Sequence, residues 1–255
     1  MSDLTNNPYI SAVVPFYNEV ESIHHMWSAL KSALDDLGRS FEIIFVDDGS
    51  SDGTRDVMRE LAAKNPELRI ILFRANFGQS AAMAAGFEAT RGDIVIAMDG
   101  DLQNDPRDIG KLVQKLEEGY DVVSGWRKYR QDKMISRKIP SMIANRIICS
   151  VTDVTLHDTG CSLKAFRGEL LRRISLYGEF HRFIPALLRM EGAEITELPV
   201  NHNARQWGTS KYNISRTFRV IMDLTTIRLL MQHLHNPLGF FGKFSFLCGL
   251  GGLAA

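Results

Sequence analysis

Ile94-Val95-Ile96-Ala97-Met98-Asp99-Gly100-Asp101-Leu102-Gln103 decides how the rest of the chain is read. An apolar, strand-like run stops at two carboxylates spaced i, i+2, with an amide side chain two residues further on. In an open α/β sheet, ligands bind beyond the carboxyl ends of the strands. A hard divalent cation such as Mg²⁺ or Mn²⁺ takes one or two carboxylates and completes its shell with substrate phosphates and water. The pattern therefore points to a seat for a metal-bound diphosphate. Asp-x-Asp is also a common polar turn, and Asp105-Pro106 would start the next helix in either case.

Outward from that strand, apolar runs alternate with helical periodicities. Ile10–Val14, Phe41–Val46, Arg69–Phe73, Asp93–Met98 and Asp121–Ser124 read as strands. Glu19–Leu37, Thr54–Lys64, Gly78–Thr90 and Arg107–Glu118 read as the helices between them, with Gly38, Asn65-Pro66 and Gly119 as stops. This order predicts an α/β fold: a mainly parallel sheet, right-handed crossovers and helices on both faces. Beyond Gly125 the pattern loosens into a helix over 139–150, a strand at Ser162–Phe166, a helix at Phe180–Met190 and a strand at Ile195–Val200. A long helix from Tyr212 to His235 follows.

Two other strand ends carry unusual chemistry. The first runs into Pro15-Phe16-Tyr17-Asn18-Glu19, and the second into Asp47-Asp48-Gly49-Ser50-Ser51-Asp52-Gly53-Thr54. Small, turn-tolerant residues there let backbone approach a ligand, and Asp48 can accept from a base or ribose donor. Capping of the next helix by Ser51 or Asp52 is expected as well, yet it leaves two consecutive acids unexplained. Asn76-Phe77-Gly78 ends the third strand in the same manner. None of these glycine clusters fits Gly-x-Gly-x-x-Gly, which argues against a dinucleotide oxidoreductase.

Thirty basic and thirty acidic side chains cancel, so no global field favours nucleic acid. Cys149, Cys161 and Cys248 are odd in number and follow no ligand spacing, which suits reduced thiols better than a disulfide framework. No pair among the seven histidines has zinc-site spacing, and the polar N-terminus lacks the apolar core of a secretory signal. Phe244 to Ala255 carries no charge, yet its length falls short of the about 20 residues that span a bilayer. The tail is expected to be the start of a truncated transmembrane segment.

Taken together, the strand-end motifs resemble family-2 glycosyltransferases of the GT-A fold, a Rossmann-like architecture for nucleotide-diphosphate sugars. The likeness is greatest to polyprenyl-phosphate glycosyltransferases, the group that includes dolichyl-phosphate mannose synthase and bacterial undecaprenyl-phosphate enzymes. It rests on Asp99-Gly100-Asp101-Leu102-Gln103, Ser124-Gly125-Trp126-Arg127, Asp158-Thr159-Gly160-Cys161 and Gly208-Thr209-Ser210-Lys211-Tyr212. The resemblance implies that Pro15, Tyr17, Asn18, Glu19, Asp48, Asn76 and Gly78 line the donor site. It implies that Asp101 and Gln103 hold Mg²⁺ or Mn²⁺, with Asp99 either a third ligand or a ribose contact.

On the same footing, Arg127, Arg130, Arg137, Arg205, Ser210 and Lys211 would receive a polyprenyl-phosphate acceptor, since a lipid phosphate needs Arg and Lys donors. Asp158 would be the remaining carboxylate near the reacting carbon, either orienting the acceptor or taking a proton. The expected organisation is a catalytic domain over 1–211, an amphipathic interfacial helix over 212–236, and the start of a transmembrane region over 237–255. That arrangement would place the enzyme at a membrane, with its catalytic domain on the cytoplasmic face of a bacterial inner membrane. Association of copies into a homo-oligomer would run through the membrane region. The expected reaction is transfer, with inversion, from a UDP- or GDP-hexose to the lipid phosphate. The alternatives are a family-2 enzyme acting on a saccharide hydroxyl, and a catalytically silent nucleotide-binding scaffold.

Overall fold

The computed structural model describes residues 7–128, 154–176 and 180–204, with 145, 146, 148, 149, 152, 178 and a few helical positions between 222 and 252. Seven strands form one sheet: β1 (Ile10–Phe16), β2 (Phe41–Asp47), β3 (Leu68–Leu72), β4 (Ile94–Ala97), β5 (Val122–Trp126), β6 (Lys164–Arg167) and β7 (Ile195–Pro199). Their spatial order is β3-β2-β1-β4-β6-β5-β7. β1, β2, β3 and β4 pair in parallel, and so do β5 and β7.

The sheet is mainly parallel, as expected, with one strand reversed. β6 is antiparallel to both β4 and β5, so the sheet is mixed. The start of β6, Lys164, stands opposite Ser124 of β5, and β6 lies between β4 and β5.

Helices cover both faces, as expected. α1 (Ile23–Asp35), α2 (Thr54–Lys64) and α4 (Ile109–Glu117) pack on one side; α3 (Gln79–Glu88) and α6 (Ile184–Met190) pack on the other, with the short α5 (Gly168–Leu171). α1 buries Ile23, Met26, Trp27, Leu30 and Leu34, an i, i+3, i+4 stripe. Its first turn begins four residues later than Glu19, because Asn18–Val20 is engaged in contacts to the β2 loop. The helix expected over Phe180–Met190 is split into a 3₁₀ turn at Phe180–Arg182 and α6, whose first turn contains Pro185.

Strands buried from both sides explain why β1, β2 and β4 read as near-continuous apolar runs. Ala12, Val14, Phe45 and Ile96 face one layer; Val13, Ile44, Val46 and Ala97 face the other. β1 pairs with β2 on one flank and β4 on the other, so strand order reverses there. Open α/β sheets bind ligands at such a switch, beyond the carboxyl ends of the strands, here those of β1 and β4. The Pro15–Glu19 and Asp99–Gln103 segments both emerge at that point.

Residues 145, 146, 148 and 149 are helical, in keeping with the helix expected over 139–150. The interfacial helix and the apolar tail fall largely outside the described residues. Among the described residues, no helix is long and apolar enough to cross a membrane.

Candidate active site

The turn after β1 is laced to the loop after β2. Asn18, in the left-handed region at φ 51°, donates its N–H to Ser50 Oγ at 2.8 Å. Its Oδ1 accepts from the Ser51 N–H at 2.9 Å, and the Glu19 N–H donates to Thr54 Oγ1 at 3.1 Å. Pro15, Tyr17, Asn18 and Glu19 therefore sit on a braced shelf beside β2.

Both acids at the end of β2 have structural duties that helix capping alone did not supply. Asp47, fully buried, accepts from the N–H groups of Gly49 and Ser50 and faces Arg55 Nε at 2.9 Å. Asp48 reaches to the next loop. Its Oδ1 accepts from the Phe77 N–H at 2.7 Å, and its Oδ2 from Asn76 Nδ2 and the Gly78 N–H, both at 2.9 Å. Burial raises the Asp48 pKa; the Phe77 and Gly78 amides oppose that and the charge of Asp47 adds to it. Both oxygens being engaged, any contact from Asp48 to a nucleotide is shared with these donors. Gly49 makes the approach of the two loops feasible: at φ +75°, a Cβ there would stand 2.3 Å from the Ala75 carbonyl carbon.

The acids after β4 lie on a tight, strained turn. Leu102 takes φ 57°, a conformation that costs a residue other than glycine about 1–3 kcal/mol. Gly100 fits against the Phe16 ring, which a Cβ would meet at 2.5 Å. Asp101 Oδ1 accepts from the Gln103 N–H at 3.1 Å. The Asp99 N–H donates to Ser162 Oγ, and Asp99 Oδ1 accepts from Gln79 Nε2 at 2.7 Å. The turn is tied down further by the Asn203 N–H on the Gln103 carbonyl (2.7 Å) and by Asn104 Nδ2 on Ser162 Oγ (2.9 Å).

Asp99, Asp101 and Gln103 thus offer two carboxylates and a carboxamide on one short turn. That all-oxygen set suits Mg²⁺ or Mn²⁺, with phosphate and water completing the shell. Among the described residues, no group of three or more His, Cys, Asp or Glu side chains is gathered for a metal. A cation held here would depend on its substrate for the remaining ligands.

The third cluster is a buried ion pair. Arg127 Nε donates to Asp158 Oδ2 at 2.7 Å and its Nη2 to Oδ1 at 2.9 Å, while the Arg127 N–H reaches Oδ2 at 3.3 Å. The side chains are 14% and 8% exposed, so little water competes with the fork. Burial works against the Arg127 charge, but Asp158 more than offsets this and holds the guanidinium above its ordinary pKa. The Cys161 thiol, completely buried, is pushed up to about 11, chiefly by burial, which keeps it protonated and unreactive at neutral pH. Beside this cluster, Trp126 stacks on His157 at 4.4 Å between ring centroids, and His157 in turn pairs with Glu197.

The clusters meet. Ser162, two residues after Gly160, bonds both Asp99 and Asn104, and Asp99 lies close enough for its charge to act on Arg127. Arg130, Arg137, Arg205, Ser210 and Lys211 lie outside the described residues. Sequence reasoning missed Gln79, Ser162 and Lys164, and the Ser80 Oγ to His181 Nδ1 contact at 2.7 Å. Only Lys164 left a signal: a charge inside the apolar strand pattern Leu163-Lys164-Ala165-Phe166.

The sheet carries two acids and an amide after β4, at the point where strand order reverses. The chain belongs to glycosyl transferase family 2, whose model matches residues 11–175. It is 44% identical to a dodecaprenyl-phosphate galacturonate synthase from Rhizobium johnstonii, over 98% of this chain and 76% of that one. It is 38% identical to an undecaprenyl-phosphate 4-deoxy-4-formamido-L-arabinose transferase from Edwardsiella ictaluri, over 89% of this chain and 70% of the relative. Among solved structures, the fold is similar to glucosyl-3-phosphoglycerate synthase from Mycobacterium tuberculosis in complex with Mn²⁺ and UDP-glucose. That match has a TM-score of 0.66 at 21% identity, over 88% of this chain and 79% of that one. A mannosyltransferase from Pyrobaculum calidifontis in complex with GDP-mannose and Mn²⁺ matches with a TM-score of 0.57 at 21% identity, over 80% and 59%.

Proposed function

We propose that the chain transfers a sugar, with inversion, from a UDP- or GDP-sugar to a polyprenyl phosphate. One observation carries this reading: Ser162, four residues after Asp158, ties down the Asp99–Gln103 turn, and Asp99 lies within electrostatic reach of the buried Arg127 guanidinium. The two relatives named for polyprenyl-phosphate sugar chemistry support it.

Asp101 and Gln103, with Asp99 as a third ligand or a ribose contact, would hold Mg²⁺ or Mn²⁺. When bound, the ion would offset charge developing on the leaving nucleoside diphosphate. The Pro15–Glu19 shelf, with Asn76 and Gly78 opposite, holds the nucleotide. Arg127, with Arg130, Arg137, Arg205, Ser210 and Lys211, receives the acceptor phosphate. A phosphate monoester has its second pKa near about 6, so the acceptor is largely dianionic at neutral pH. Its oxygen attacks C1 from the face opposite the leaving group; a C1–O bond to the lipid phosphate forms as the bond to the diphosphate breaks. No proton has to leave the nucleophile. That relieves Asp158 of duty as a base, and its two oxygens, both taken by Arg127, fit a residue that aims the guanidinium.

The reaction takes place at a membrane surface, where the lipid resides, with the catalytic domain over 1–211 on the cytoplasmic face. This reading assigns 212–236 to an interfacial helix and 237–255 to a membrane region, on the sequence pattern of apolar residues interleaved with Arg216, Arg219 and Arg228.

The test is to incubate membranes bearing the full-length enzyme with undecaprenyl phosphate, a panel of sugar nucleotides and Mg²⁺ or Mn²⁺. Mass spectrometry of the extracted lipid should reveal one phosphosugar, absent from Asp101→Ala membranes. Transfer to a saccharide hydroxyl, or no new glycolipid with any donor, would overturn the reading.

A further inference from the structure

Lys164 opens β6 and is only 4% exposed. In the sheet it stands opposite Ala97 of β4 and Ser124 of β5. A buried ammonium costs several kcal/mol unless its surroundings compensate, and an apolar side chain would fill the same place without that cost. Compensation comes from main-chain oxygen: Nζ donates to the Thr159 carbonyl at 3.3 Å and to the Cys161 carbonyl. Both carbonyls belong to the Asp158–Cys161 turn that carries the partner of Arg127. Among the described residues, Lys164 makes no direct ion pair. Burial pushes its pKa down, while the nearby Asp158 and Asp99 carboxylates act in the opposite sense.

Arg127 pairs directly with Asp158, and Lys164 lies under the same turn, within electrostatic reach of Asp158 and Asp99. Asp158 already occupies the guanidinium fork with both oxygens. An arriving phosphate would put a second anion on that guanidinium, and Asp158 would keep only a share of it. We propose that Lys164 is a positioning residue for the acceptor half of the reaction: its buried charge, held under the Asp158 turn, lets Arg127 take an anionic phosphate while Asp158 stays in place. This rests on the acceptor reading of Arg127 given above. At an effective dielectric of about 20, a unit charge within about 12 Å of an anion changes its affinity by about tenfold or more.

Two variants of the full chain separate charge from scaffolding. Lys164→Gln keeps an N–H donor for the Thr159 and Cys161 carbonyls but loses the charge; Lys164→Met loses both. Steady-state kinetics with undecaprenyl phosphate should show Lys164→Gln raising the lipid-phosphate KM about tenfold, with the sugar-nucleotide KM within about twofold of wild type. Lys164→Met should show the same split with a lower thermal midpoint. The inference is overturned if Lys164→Gln matches wild type while Lys164→Met is impaired, since donation to the turn would then suffice. It is equally overturned if both KM values rise together. Should Lys164→Met fail to fold, Lys164→Gln alone decides. Wild-type enzyme that transfers nothing to undecaprenyl phosphate would sink the function proposed above; normal wild-type transfer with an unaltered Lys164→Gln sinks only the role of Lys164.

Discussion

Replacing Asp158 by Ala, Arg127 by Met, and both together measures what the buried fork does for stability. Two contacts of 2.7 and 2.9 Å join side chains that are 14% and 8% exposed, and the Arg127 N–H adds a third at 3.3 Å. Removing one partner strands the other away from water, at a cost of about 3–5 kcal/mol. The two single variants should differ. In Arg127→Met the orphaned Asp158 can take up a proton and escape part of the penalty, whereas the guanidinium left by Asp158→Ala cannot shed one. Asp158→Ala is therefore expected to lie at the upper end of the range and Arg127→Met near the lower. The double variant leaves no buried charge from the pair and should cost less than the sum of the singles by about 2 kcal/mol or more. Urea unfolding followed by tryptophan fluorescence, with Trp126 adjacent to Arg127, reads these values as shifts in midpoint at constant slope. Additive single losses, or losses below about 1 kcal/mol each, would refute the account of a dry, coupled pair.

Three further outcomes are expected. Gln79→Ala removes the donor that holds Asp99 Oδ1, so Mn²⁺ affinity in the presence of UDP or GDP, read by electron paramagnetic resonance, should fall about tenfold or more; unchanged affinity would remove Gln79 from the metal turn's support. Gly49→Ala forces a Cβ into the Ala75 backbone at φ +75° and should destabilise by at least about 2 kcal/mol, seen as a lower thermal midpoint. Glu42, buried in β2, keeps a lowered pKa: burial opposes its charge, but Arg91, Ser11 and Arg69 outweigh it. Its folded pKa lies below the unfolded value of about 4.3, so its contribution is present above that pH and is lost as pH falls through the folded value. Glu42→Gln should flatten the acid side of the stability profile; an unchanged acid slope would contradict that assignment.

Much of the catalytic half was legible because strand and helix periods differ and because chemistry collects where strands end. The apolar runs at Ile10, Phe41 and Ile94 located the parallel strands, and the acids after β4 fall at the strand-order switch. Element edges were less legible. Glu19–Ser22 has helical composition, but the Glu19 N–H binds Thr54 and the chain starts α1 only at Ile23. The Asp47-Asp48 pair suggested ligand binding, and its loop-bracing duties appeared only once the Asn76–Gly78 loop was seen to fold against it.

Residue types, spacing and order alone were enough to determine the α/β class, the strand-end acids and the family resemblance, because these follow from local periodicity and from motifs within a few residues. Partners distant in the chain were decided by tertiary structure. β6 inserts backwards between β4 and β5, Gln79 reaches Asp99 from the first turn of α3, and Arg127 closes on Asp158 across 31 residues. No local pattern encodes such pairings, since they are chosen by which buried charges and donors can satisfy one another once the sheet has closed.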